Sequence, residues 1–197
     1  VNPEQMILNA RTAGDPALGS LLEIYRNYLR LLARIEIGRR LQGKLDASDL
    51  VQETFLEAHR HFPRFRGTDE PEFVGWLRGI LAGKVANLVR HYFGTQGRNV
   101  RLEQDLADSM GNSLGQELAA SLTSPSLQAV RREQSVLLAD ALEKLPADYR
   151  EVIILRHLEG LTFPDVALRM ERTLDSVEKL WLRGLARLRR EFAGDLP

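Results

Sequence analysis

Leu145-Pro-Ala-Asp-Tyr-Arg-Glu-Val-Ile-Ile-Leu-Arg-His-Leu-Glu-Gly-Leu-Thr-Phe-Pro-Asp-Val-Ala-Leu-Arg-Met-Glu-Arg-Thr-Leu-Asp-Ser-Val-Glu-Lys179, continuing to Phe192, is the stretch that decides the fold. It asks for three short helices. Pro146 suits a first helical turn, and Val152, Ile153, Leu155 and Leu158 form an apolar face that stops at Gly160. Thr162 can cap the second helix, with Pro164 in its first turn, an acid (Asp165) three places after the cap, and Val166, Ala167 and Met170 as its inner side. After a short turn, Thr173 or Asp175 can cap a long last helix whose Val177, Trp181, Leu185, Leu188 and Phe192 recur every three or four residues. Two short helices, a tight turn, and a last helix carrying Ser176, Lys179 and Arg183 outward follow the grammar of a helix-turn-helix.

Charge fits such a use locally. The 197-residue chain has 27 basic and 27 acidic residues, so it is neutral as a whole. A groove reader needs only a local footprint. Residues 176–192 supply one: Lys179, Arg183, Arg187, Arg189 and Arg190 against Glu178 and Glu191, a surplus of three positive charges. A solvated helix face is the plainer account of the same residues, and charge alone does not decide between them.

A second motif lies far upstream: Asp46-Ala-Ser-Asp-Leu-Val-Gln-Glu-Thr-Phe-Leu-Glu-Ala58, then Phe62-Pro-Arg-Phe-Arg-Gly67, then Phe73-Val-Gly-Trp-Leu77. It resembles the core-polymerase-binding and −10-recognition domain of bacterial sigma factors of the extracytoplasmic-function (ECF) group, within the sigma-70 family. The C-terminal pattern Leu-Pro-x-x-x-Arg-Glu-Val-x-x-Leu-Arg-x-Leu-Glu-Gly-Leu-Thr, with Asp165-Val-Ala and Ser176-Val-Glu-Lys-x-x-x-Arg-Gly-Leu-Ala-Arg-Leu-Arg189, resembles the −35-binding domain of the same group. The two resemblances occur in the family's order and cover roughly residues 21–92 and 128–192.

The resemblance implies an all-α chain of two small helical domains: region 2 over 1–93, a flexible linker over 94–125, and a helix-turn-helix region 4 over 126–197. It implies core RNA polymerase and promoter DNA as partners, with an anti-sigma factor as a further one. Carried over residue by residue, Asp49, Leu50, Gln52 and Glu53 become the polymerase contacts. Arg64, Phe65, Arg66, Arg78, Lys84, Asn87 and Arg90 become the contacts to the melted −10 strand. Arg172, Asp175, Ser176, Glu178, Lys179, Arg183 and Arg187 become the contacts to the −35 duplex. Gly83 and Asn87 stand where the family commonly has Asn and Asp, and Glu178 and Leu180 where basic residues are frequent. These departures bear on sequence preference.

The rest of the chain reads as follows. Residues 1–20, with Pro3, Gly14 and Pro16, read as a loose start with a short helical turn around Glu4–Ala10. A helix is expected from Ser20 to Leu41, with Leu21, Leu22, Tyr25, Leu29, Leu32 and Ile35 on its inner side. Asp46 or Ser48 can cap the next helix, whose Val51, Phe55, Ala58 and Phe62 form an apolar stripe opposite Asp49, Gln52, Glu53 and Glu57. The loop Pro63–Pro71 offers Phe65 either as a surface for an unstacked base or as a lid on the core. In the helix Glu72–Tyr92, Trp76 reads as a core anchor, and Gly79 and Gly83 as an allowance for close helix packing. Gly, Ser and acids dominate 94–125, with short helical pieces around 102–110 and 114–122. Val130, Leu137, Leu138, Ala141, Leu142 and Leu145 define a helix leading into the C-terminal domain.

Other functions leave a weaker trace. The absence of cysteine excludes disulfides, thiolate nucleophiles and thiolate-rich metal sites. Four histidines (His59, His61, His91 and His157) show no metal-ligand spacing, and no phosphate-binding glycine pattern occurs. No catalytic residue, metal or cofactor is therefore expected. No run approaches the roughly 18 apolar residues of a membrane span, so no membrane insertion and a cytoplasmic location are expected. Two rival readings stay open: a helix-turn-helix regulator unrelated to polymerase, and a sigma-like mimic that binds protein without starting transcription.

Overall fold

A computed structural model describes residues 2–40, 46–93 and 125–194, with side chains for 2–37, 46–88 and 134–191. The described residues are helical with no strand, and the chain divides into two compact units, Val1–Arg132 and Glu133–Pro197. The expected linker lies outside the described residues up to position 124.

The first unit opens on α1 (Pro3–Ala13), a full helix where a loose start was expected. The breakers that pointed to a loop are start signals in place. Asn2 caps α1 by accepting from the Glu4 amide at 3.0 Å, and Pro3 occupies the first turn, where its missing N–H costs nothing. Gly14 turns the chain at φ +78°, a conformation open to glycine, and Pro16 again sits in the first turn of α2 (Asp15–Ile24). The single helix expected over Ser20–Leu41 is two. Tyr25 leaves the helical path between α2 and α3 (Arg26–Arg40). Its hydroxyl donates to Glu70 Oε1 at 2.9 Å. Burial first, then the Glu70 charge and hydrogen bond, push that hydroxyl well above the ordinary phenol range.

The next helix, α4 (Ala47–His61), starts at Asp46, whose carboxylate accepts from the Ser48 amide at 2.8 Å. That hydrogen bond holds the Asp46 carboxyl below the usual range. A single 3-10 turn (Phe62–Arg64) and a short loop lead to α5 (Glu70–Phe93). Asp69 caps α5 by accepting from the Glu72 amide at 2.7 Å, while Glu72 accepts from the Thr68 amide at 2.8 Å; the two bonds fix the end of the loop. Helices α3, α4 and α5 pack around Leu29, Leu32, Val51, Phe55, Leu77, Leu81 and Val85, all buried.

The second unit begins within α6 (Pro125–Glu143), whose Ala139, Ala141 and Leu142 are buried while Leu137 is exposed. Next comes α7 (Ala147–Ile153), with Pro146 as its N-cap, extended by one π-helical turn over Ile154–Leu158. Gly160, at φ +76°, closes it, with the Leu161 amide donating back to Leu155 O at 3.0 Å. Val152, Ile153, Ile154 and Leu155 are buried, whereas Leu158 is only half-buried. Last come α8 (Phe163–Arg169) and α9 (Leu174–Gly194). Thr162 caps α8, and Thr173 accepts from the Ser176 amide at the start of α9. Val177 is wholly buried, a contribution of about 1.5–3 kcal/mol for a side chain of its size.

Candidate DNA and polymerase interfaces

On α9 the inner and outer faces separate cleanly. Val177 and Gly184 are buried, and Trp181, Leu185 and Leu188 are half-buried along the same side. Gly184 is a contact the sequence did not signal: a Cβ there would lie 3.3 Å from Ile153 Cδ1, Tyr149 Cβ and Tyr149 O. Asp175, Ser176, Lys179, Arg183 and Arg187 recur at helical spacing on the opposite side, and all but the half-buried Ser176 are exposed. Glu178 is exposed on the flank. Arg183 has no ion-pair or hydrogen-bond partner among the described residues, nor have Arg189 and Arg190. Lys179 is paired with Asp175 at 2.7 Å, Arg187 with Glu191 at 3.9 Å, and Arg172 with Asp148 at 2.7 Å. Leu174 and Leu182 are large apolar groups left exposed on this helix, and pattern reading missed them.

The turn before α9 is built tightly. Arg172 N donates to Ala167 O at 2.9 Å and Glu171 N to Leu168 O at 3.2 Å, which caps α8 with two of its otherwise unbonded carbonyls. Glu171 adopts φ +53° to do so, in the left-handed region that glycine usually fills.

On α4, Asp49, Gln52 and Glu53 are exposed along one face. Leu50 is not part of it. At 2% exposure it belongs to the core, because the buried arc of α4 is wide enough to take Leu50 and Thr54 beside Val51, Phe55 and Ala58. The apolar residue on the outer face is Leu56, 60% exposed, three and four places after Glu53 and Gln52. One edge of this face is tied to α5: Lys84 Nζ lies 3.2 Å from Glu57 Oε2 and 3.9 Å from Glu53 Oε2.

The loop places Arg64 and Arg66 in solvent. Phe65 is half-buried in an aromatic cluster, stacked on Trp76 at 4.8 Å and edge-on to Phe73 at 5.7 Å, with Phe62 at 6.1 Å. This packing closes the core beneath the loop. A cleft of about 360 Å³ lies beside it, bounded by Arg11, Asp15, His59, Phe62, Phe65 and Arg66. Arg78 and Lys84 are half-buried and Asn87 is exposed, while the Arg90 side chain is outside those described. Gly79 and Gly83 face open space, with nothing within 4 Å of an added Cβ, so neither serves close helix packing among the described residues. Those residues also hold no cluster of three metal-ligating side chains, and no helix long and apolar enough to cross a membrane.

The family description "Sigma-70 region 2" matches residues 24–92, and "Sigma-70, region 4" matches 135–188. The ECF RNA polymerase sigma-E factor of Haemophilus influenzae is 30% identical over 176 residues, which cover 88% of this chain and 87% of that protein. The ECF RNA polymerase sigma factor SigD of Mycobacterium bovis is 31% identical over 186 residues, covering 93% of this chain and 82% of the relative. A solved structure of CnrH in complex with the cytosolic domain of CnrY aligns at 25% identity over 98% of both chains, with a TM-score of 0.37. With two region models in order and relatives matched over most of their length, the chain belongs to the sigma-70 family of RNA polymerase sigma factors, in its ECF group.

Proposed function

We propose that the chain binds core RNA polymerase through α4, captures the melted −10 strand with the 62–69 loop and α5, and reads the −35 duplex with α9. The working parts would be region 2 over 1–93, a tether over 94–125 and region 4 over 126–197. The observation that carries this reading is the outer stripe Asp175–Ser176–Lys179–Arg183–Arg187, exposed but for the half-buried Ser176, lying opposite a buried seam and with Arg183 unengaged among the described residues. A recognition helix enters the major groove by its N-terminal half, which assigns Asp175, Ser176, Lys179 and Arg183 to bases and Arg172 and Arg187 to phosphates. Glu178, on the flank, is placed to accept from a cytosine amine.

Magnitudes favour the exchange of partners this requires. An exposed pair such as Lys179–Asp175 is worth about 0.2–1 kcal/mol. A side-chain fork or ammonium on a guanine edge contributes about 1–3 kcal/mol of discrimination.

On the polymerase side, Asp49, Gln52 and Glu53 would supply charge complementarity, which sets register and encounter rate. Leu56 replaces Leu50 as the apolar contact. Arg64, Arg66, Arg78, Lys84, Asn87 and Arg90 would line the −10 strand, with Phe65 supporting the loop from beneath. Opening base pairs is then repaid by capture of the exposed bases, with no covalent step. The protein works in the cytoplasm with its polymerase, and an anti-sigma factor is a further partner on the family's pattern.

Run-off transcription with purified bacterial core enzyme on a randomised promoter library tests the proposal. Transcripts arising from templates that share an upstream and a −10 motif support it. Core binding without such transcripts would leave a protein-binding mimic, and no core binding would leave a plain regulator.

A further inference from the structure

The N-terminal helix α1 reaches across the first unit to the loop that follows the 3-10 turn. One terminal nitrogen of Arg11 donates both to Phe65 O, at 3.4 Å, and to Gly67 O. Its guanidinium lies over the Phe65 ring, 6.0 Å from the centroid. These contacts join residues 54 and 56 positions apart. The loop they hold is pinned near both ends, and Arg11 reaches its middle from another helix. Phe65 N donates to Phe62 O at 2.9 Å, and the Phe65 ring folds back so tightly that a Cβ on Gly67 would lie 2.3 Å from Phe65 Cζ and 2.8 Å from Glu72 Cβ. Asp69 and Glu72 fix the far end. Between the two fixed ends, the carbonyls of Phe65 and Gly67 point at Arg11.

We propose that Arg11 is a positioning residue for strand capture: it holds the 64–67 segment in the shape that presents Arg64 and Arg66 to the melted −10 strand. The inference rests on the reading of this loop as the strand-capturing element. A short loop carrying two flexible arginines binds a strand only if its backbone is already set, because ordering it during binding subtracts from affinity. Arg11 supplies that order from a separate helix. Loss of the tether should therefore weaken capture without touching −35 reading or polymerase binding.

The test compares wild type, Arg11→Met and Arg11→Lys, each as the full chain. In the free protein, hydrogen exchange at the 64–68 amides should quicken about ten-fold in Arg11→Met while the α4 and α5 amides hold their rates. In complex with core polymerase, the probe is a fluorescent fork-junction DNA with a randomised single-stranded arm. Arg11→Met should bind it about ten-fold more weakly, and Arg11→Lys, which keeps a donor for both carbonyls, should recover most of the loss.

The salt dependence separates positioning from direct contact. An unchanged slope of log affinity against log salt supports positioning. A slope shallower by about 0.7 would make Arg11 itself a phosphate contact and overturn the inference. Equal arm binding by wild type and Arg11→Met also overturns it, with the strand-capture reading intact. Failure of the wild-type complex to bind the arm at all overturns that reading and the inference together.

Discussion

The indole N–H of Trp181, on α9, donates to Nε2 of His157, on the π-helical turn after α7, at 2.9 Å. The rings lie 6.0 Å apart and nearly parallel, with Phe163 edge-on to the indole at 5.3 Å. One hydrogen bond and a small aromatic stack thus fix the middle of α9 to the helix two before it. The geometry requires an unprotonated Nε2. His157→Ala should lower the stability of the C-terminal unit by about 0.5–1.5 kcal/mol, as for a lost hydrogen bond of this kind. Urea unfolding followed at the Trp181 indole resonance checks this, and an unchanged midpoint would contradict it.

Gly184 sits where α9 crosses α7, and its neighbours leave room for almost nothing. In Gly184→Ala, the gain in helix propensity, roughly 1 kcal/mol, is set against a 3.3 Å contact with the Tyr149 backbone. The net effect should be small. Gly184→Val adds two more carbons at the same spot and should destabilise by about 1–3 kcal/mol. Thermal melts of the two variants should therefore diverge; equal melting temperatures would mean the crossing is looser than described.

The opposite outcome is expected on α5. Gly79 and Gly83 are exposed with open space around them, so alanine at either position should stabilise by about 0.5–1 kcal/mol. A double variant with a lower melting temperature than wild type would show that one of these glycines contacts something within the chain.

Acid should weaken the first unit through Glu57. Hydrogen bonds from Lys84 first, and His61 second, hold its carboxyl below the ordinary glutamate range despite some desolvation. A carboxyl lowered in the folded state contributes stability that is complete above its unfolded pKa and is lost as pH falls through its folded one. Lys84→Met should flatten the change in urea midpoint between neutral and strongly acidic pH. An identical pH profile would contradict the pairing.

Much of this was legible from spacing. The stripe Val51–Phe55–Ala58–Phe62 is buried as read, Thr162 caps its helix as expected, and of the two caps offered for each of the other helices Thr173 and Asp46 are the ones that serve. Errors came where one residue type serves two purposes. Pro3 and Pro16 read as breakers but occupy first turns, and Gly14 joins two helices without a loop. Leu50 was assigned to the outer face and is buried, while the exposed Leu56 was given no role, because both border the apolar arc of α4 and only packing against α3 and α5 sets its width. Contacts between distant residues left no local trace: Lys84 with Glu57, Arg172 with Asp148, and Arg11 with the loop. The π-helical turn at Ile154–Leu158 has no sequence pattern that periodicity could reveal.

The proposed division of labour gives α4 a face that grips polymerase and α9 a face that reads duplex DNA. Its most direct measurement is a crossed pair of affinities, for core polymerase and for −35 duplex in the assembled complex, in Arg183→Ala and Glu53→Lys. Arg183→Ala should cost about 1–3 kcal/mol of −35 recognition and leave core affinity at the wild-type value. Glu53→Lys should weaken core association and leave the −35 affinity of whatever complex forms unchanged. Both variants losing both affinities, or Arg183→Ala losing neither, would contradict the account.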